Sequence, residues 1–166
     1  MTTALDDDAR RAATIDVLRT IDGGAAVVEW FSGHPNFGDA EILRLDLNRR
    51  GASLALSQSF SAKGHNGGAP FRHAIFTFYF SEDDVIEVSM HGFSHQNVIG
   101  GMWLRVADEA KPDASFIGTG LGRGDVEFEF EPCFGPFGTL RATISKITIT
   151  PVDDDQKADD PSSMIE

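Results

Sequence analysis

Apolar positions along this chain follow two different periods. From residue 6 to 21 they recur at three-residue steps, as Ala9, Ala12, Ile15, Leu18 and Ile21. Asp6 to Asp8 lie at the favourable end of the dipole and Asp22-Gly23-Gly24 forms a stop, so the run predicts an amphipathic helix. A second, shorter helix is expected over 25–32, where Val27, Val28, Trp30 and Phe31 crowd together before Gly33 ends it and Pro35 prevents its return. After Asp39 the period becomes two. Leu43, Leu45 and Leu47 alternate with Arg44 and Asp46, and Leu54 and Leu56 alternate with serines and alanine. The short Asn48-Arg49-Arg50-Gly51 link suits a hairpin between these two runs.

Residues 73–80 are apolar at nearly every position, which predicts a central strand covered on both faces, turned back by Ser81 to Asp84 into a further strand over 85–90. Met102, Leu104 and Val106 face one way with Trp103 and Arg105 opposite, and Val126, Phe128 and Phe130 alternate with Glu127, Glu129 and Glu131. In the last apolar run, Leu140, Ala142 and Ile144 give way to Ile147 and Ile149. This change of phase across Ser145-Lys146 predicts a bulge or a crossing between two packing surfaces. The expectation is an α+β fold, with N-terminal helices packed on a mainly antiparallel, strongly bent sheet of about seven strands. One domain over 1–152 and a flexible acidic tail over 153–166 complete it.

Composition narrows the function classes. Fourteen Lys and Arg stand against 26 Asp and Glu, a formal charge of −12, which opposes nucleic-acid backbones and anionic membrane surfaces as partners. Six acids and one lysine stand after Val152, so the preceding residues alone carry −7. The single Cys133 has no internal partner for a disulfide, and the first residues show neither a basic nor an apolar leader segment; a cytoplasmic protein is expected.

Candidate chemistry is sparse. His91 and His95 have the separation of a helical metal pair but sit in strand and loop context without a thiolate cluster, so no metal or cofactor is expected. The alternating glycines of 118–124 fail the spacing of a dinucleotide or phosphate loop and read as a connection. No serine elbow occurs, and Cys133 has no adjacent basic group. Asp39 and Glu41, with His91 and His95, make up the constellation that a small hydrolase or ligand-binding protein would need. A structural assembly subunit is the third class. Asp125, Glu127, Glu129 and Glu131 would line one strand face, solvated or offered to a basic partner protein, with Trp103 as an anchor beside them.

Phe31 to Leu43, reading Phe-Ser-Gly-His-Pro-Asn-Phe-Gly-Asp-Ala-Glu-Ile-Leu, resembles the entry motif of the immunity protein 50 family of bacterial polymorphic toxin systems. In that family an aromatic-Gly helix end leads through Trp-Pro-Ser-Phe-His-Asp-Ala-Glu into the first strand. Phe31, Pro35, Phe37, Asp39, Ala40 and Glu41 match, while His34 replaces the Trp and Gly38 replaces the His. Gly92-Phe93-Ser94-His95-Gln96-Asn97-Val98-Ile99 is similar to the family's Gly-Phe followed by Gln-Asn and aliphatics, and Pro132-Cys133-Phe134-Gly135 is a weaker third match. The resemblance runs in order from about Ala25 to Pro151. It implies a small cytoplasmic protein that binds and neutralises a cognate toxin, without catalysis or cofactor. Pro35, Phe37, Asp39, Glu41, Gln96 and Asn97 are then a structural signature, in which Asp39 is expected to accept backbone N–H bonds in the turn and Glu41 or its neighbours to hold the helix end against the strand. Any role of the missing His is not carried over to Gly38.

Overall fold

The computed structural model describes residues 4–61, 71–81, 86–107 and 125–153. Two helices, α1 (Ala4–Thr20) and α2 (Gly24–Trp30), precede eight strands. These are β1 (Glu41–Asn48), β2 (Gly51–Phe60), β3 (Arg72–Phe80), β4 (Glu87–His91), β5 (Gly101–Val106), β6 (Val126–Glu131), β7 (Phe137–Ala142) and β8 (Ile144–Pro151). All pairings between strands are antiparallel, in two four-stranded sheets of order β1-β2-β3-β8 and β4-β7-β6-β5. The class is α+β, as the periodicity implies. The strands divide between two sheets where one bent sheet was expected, because the last apolar run is two strands. It leaves the second sheet at Thr143 and enters the first, with Ser145 bulged where Tyr79 pairs Lys146 and Phe80 pairs Ile144. Both the crossing and the bulge predicted from the phase change are present.

The inner faces of the two sheets meet through phenylalanine rings. Phe78 of β3 stands edge-on to Phe128 of β6 with centroids 5.4 Å apart, and Phe80 lies 6.0 Å from the same ring. Phe31, at the end of α2, extends this core to Phe37 (5.0 Å) and Phe76 (5.7 Å), so the helical start and the strands share one apolar cluster. β3 is interior to its sheet but is buried on one face only. Ala74, Phe76, Phe78 and Phe80 point inward, while Ile75, Thr77 and Tyr79 are half-buried on the outside. The continuous apolar run therefore reflects an interior strand whose outer side chains shield one another, and not a strand covered twice.

Helix α1 buries Thr14, Val17 and Leu18, while Ala9 and Ala12 are exposed, so its inward face is rotated from the one the three-residue steps predict. Thr14 sets that rotation. Its hydroxyl accepts from the Leu104 N–H at 3.0 Å and donates to Arg10 O at 2.9 Å, which seats α1 along the outer edge of β5. An edge strand is thereby covered by a helix. The link to α2 is equally close: Ile147 N–H donates to Asp22 O (2.8 Å), and Gly23, at φ +82°, lies where a Cβ would be 2.0 Å from Ile147 O. Among the described residues no helix is long and apolar enough to cross a membrane. The expected tail beyond Asp153 and the glycine run 118–124 lie outside the described residues.

Candidate functional site

The three segments that carry the family resemblance, separated by up to about a hundred residues, come together at one corner. Asp39 N–H donates to Ile99 O (3.0 Å), Ile99 N–H to Ala40 O (2.9 Å) and Ile42 N–H to Asn97 O (2.9 Å), so residues 97–99 pair with the start of β1 on its free side. Phe134 N–H donates to Val98 O (3.1 Å), the Ser94 hydroxyl donates to Phe134 O (2.7 Å), and Gly100 N–H donates to Glu131 O (2.8 Å). Gly135 is packed so tightly that a Cβ would lie 2.5 Å from the Asn97 carbonyl carbon. Asp39 (φ +60°) and Asn97 (φ +46°) hold left-handed backbone, which Asp and Asn adopt more readily than other residues with a Cβ.

Within the corner the residues divide by role. Pro35 and Phe37 are buried, and Phe37 anchors the turn in the aromatic core. Asn97 Oδ1 accepts from the Ser94 N–H (2.9 Å), and Gln96 is exposed. The expected turn role of the Asp39 carboxylate belongs to another residue: Asn36 Oδ1 accepts from the Gly38 N–H at 2.9 Å. The left-handed turn sends the Asp39 side chain to solvent, where Glu41 is also exposed. Glu41 lies opposite Ser57 on β2 and does not hold the helix end; Phe31 and Phe37 do that by ring contact.

Asp39 and Glu41 line an open cleft of about 410 Å³ together with Ser57, Gln58, Ser59 and His73. His73 was not singled out by sequence reasoning. Its Nε2 lies 3.0 Å from Ser57 Oγ and its Nδ1 2.6 Å from Ser59 Oγ, a contact made by the β2–β3 register. Gln58 is 5 % exposed, and its amide nitrogen donates to both Gly38 O (3.1 Å) and Ser59 O (2.9 Å). Two carbonyl acceptors fix the orientation of that amide, and its Oε1 is buried with no hydrogen-bond partner. His91 and His95 are not in the cleft lining. His91 lies against Phe137 with ring centroids 6.0 Å apart, and His95 is exposed on the 92–100 segment. Among the described residues no group of three or more His, Cys, Asp or Glu is placed to hold a metal ion.

The acidic row of β6 lies elsewhere, on the outer face of the second sheet, and is met by arginines of the same chain. Arg10 of α1 reaches Glu129 (2.5 Å) and Glu131 (2.9 Å) while its guanidinium stacks 4.9 Å from the Trp103 ring centre. Trp103 is half-buried, and its indole N–H donates to Glu131 Oε1 at 3.0 Å. Arg105 bonds Glu127, with Nε 2.9 Å from Oε1. Arg141, only 4 % exposed, stands in register between Glu87 and Glu127 with Asp125 Oδ2 3.8 Å from its Nε. Thr143 also donates to Asp125 (3.1 Å). The row thus serves as the seat of α1 and the counter-charge of a buried arginine. Comparison with protein-family models, with curated proteins and with solved structures finds no match to this chain.

Two stability measurements check this assignment. Asp39→Ala is expected to cost about 1 kcal/mol through its left-handed backbone, while Asp39→Gly stays within about 0.5 kcal/mol of wild type. Equal denaturation midpoints for the two variants would contradict the backbone role. Glu129→Lys is expected to cost about 1–2 kcal/mol by opposing Arg10, with the loss shrinking as salt is added. An unchanged midpoint at low salt would show that the row does not seat the helix.

Proposed function

We propose that this chain is a toxin-neutralising binding protein of the immunity type, acting in the cytoplasm on a cognate, basic toxin domain and performing no catalysis of its own. The observation that carries the reading is the convergence of three sequence-distant segments into one hydrogen-bonded corner. That corner presents Asp39 and Glu41 at the surface of a chain with net charge −12. Charge of one sign on a preformed surface speeds encounter with a basic partner and helps select it. The acids of β6 contribute to the overall field. Their close contacts are taken by Arg10, Arg105 and Arg141, so the direct docking role falls to the corner.

A hydrolase is the second reading, favoured by the Ser57–His73 contact. Its chemistry fits poorly. A nucleophilic serine needs a base oriented by a third group and nearby N–H donors for the developing oxyanion. Here Ser59 occupies the Nδ1 side of His73, and Ser57 lies within an interior strand paired on both sides.

Co-expression with the toxin domain encoded immediately upstream tests the leading reading. Rescued growth and a stable complex in co-purification are expected. Unrescued growth with no complex would refute it.

A further inference from the structure

Among the described residues the two sheets have four outer edges, and these are not treated alike. β1 is bulged between Ile42 and Arg44 and carries the Arg44–Asp46 ion pair, β8 is bulged at Ser145 and holds Lys146 and Pro151, and helix α1 lies along β5. Bulges, charges, proline and a covering helix are each a means of keeping an edge from pairing with another chain. β4, reading Glu-Val-Ser-Met-His, has no Lys, Arg or Pro, and its register with β7 runs from Glu87 to His91 without a bulge. Among the described residues no strand pairs with its other side.

One contact fixes which backbone groups face outward. Ser89 O lies on the β7 side, where a Cβ on Gly138 would be 2.1 Å from it, so strand alternation turns the N–H and C=O of Val88 and Met90 to the open side. The side chains of these two residues share the inner face: Val88 stands opposite Leu140 but is exposed, and Met90 packs on the core. Glu87, Ser89 and His91 share the outer face, which carries a ladder of alternating charge. Arg105 of β5 stands opposite Glu127 of β6, Glu127 opposite Arg141 of β7, and Arg141 opposite Glu87. The ladder reaches the β4 edge on an acid, so the next position favours a donor or a cation.

The strand itself supplies that donor. Laid antiparallel on a copy of itself about a two-fold axis through Ser89, β4 pairs all 5 of its residues: Glu87 opposite His91, Val88 opposite Met90, and Ser89 opposite Ser89. In that register Val88 and Met90 form the hydrogen-bonded pairs, each exchanging both N–H···O bonds, and the exposed Val88 is covered by a methionine. We propose that β4 is a homodimer contact, which joins the second sheets of two copies of this chain into one continuous antiparallel sheet. A second copy is the occupant because the acid, the imidazole and the apolar pair of this edge complement one another in a single symmetric register. The contact is independent of toxin neutralisation, which is proposed at the Asp39 corner.

Sedimentation equilibrium of the full chain from about 5 µM to about 1 mM is expected to show a mass rising from 18.0 kDa toward twice that value. His91→Glu sets like charges opposite each other and should hold the chain at monomer mass, while His91→Arg should tighten the dimer several-fold. Cross-linking in a Cys133→Ser background reads the register. Ser89→Cys lies at the close, non-hydrogen-bonded pair on the axis and should form a covalent dimer with oxidised glutathione, whereas Val88→Cys, offset from its own copy, should not. Monomer mass over the whole range would overturn the proposal, and slow amide exchange at Val88 and Met90 in that monomer would show that a segment of the same chain covers the edge. A dimer that survives His91→Glu, or in which Ser89→Cys fails to cross-link, would place the interface elsewhere and overturn it equally.

Discussion

Three backbone hydrogen bonds tie the two sheets together at their exposed corner: Asp39 N–H to Ile99 O, Ile99 N–H to Ala40 O, and Ile42 N–H to Asn97 O. They join the outer side of β1, an edge of the first sheet, to the segment that enters β5, an edge of the second. Without them the start of β1 and the segment before β5 would present unpaired N–H and C=O groups to water or to another chain. The left-handed backbone at Asp39 and Asn97 opposes this arrangement, and the buried side chains of Phe37 and Ile99 hold it in place. Position and exposure of the Asp39 and Glu41 carboxylates follow from that pairing.

Local pattern in the chain carried most of the fold. The alternation of Met102 with Trp103 and of Phe128 with Glu129 appears in the strands as inward and outward positions. The phase change near Ser145 marked the place where the chain returns from the second sheet to the first. Period alone does not report what lies over a face. The Glu127, Glu129 and Glu131 row reads as a solvated stripe because its partner Arg10 lies more than a hundred residues away. Arg141 shows the same limit. Its position in the alternation is that of an outward cation, yet it is buried, because carboxylates from neighbouring strands flank it.

The cleft was half-visible for a related reason. Asp39 and Glu41 stood out by spacing and by likeness to a known motif, whereas Gln58, Ser59 and His73 acquire meaning only through the β2–β3 register that places His73 opposite Ser59. His91 lies against Phe137 and His95 is exposed on the segment after β4, and neither lines the cleft with Asp39. Asn36 took the turn-closing role expected of Asp39, leaving that carboxylate available at the surface. The turn closed by Asn36 thus leaves the Asp39 carboxylate outward, while its Gly38 carbonyl accepts from the buried Gln58 amide nitrogen.

The central claim is that this corner is preorganised in the free protein and is not a loop that forms on contact. Native-state amide hydrogen exchange of the isolated chain tests it most directly, read at Asp39, Ile42 and Ile99 beside Phe78 of the core strand. Exchange of all four amides at the slow rate set by global unfolding is the predicted result. Rapid exchange at Asp39, Ile42 and Ile99 through local opening, with Phe78 still protected, would contradict it.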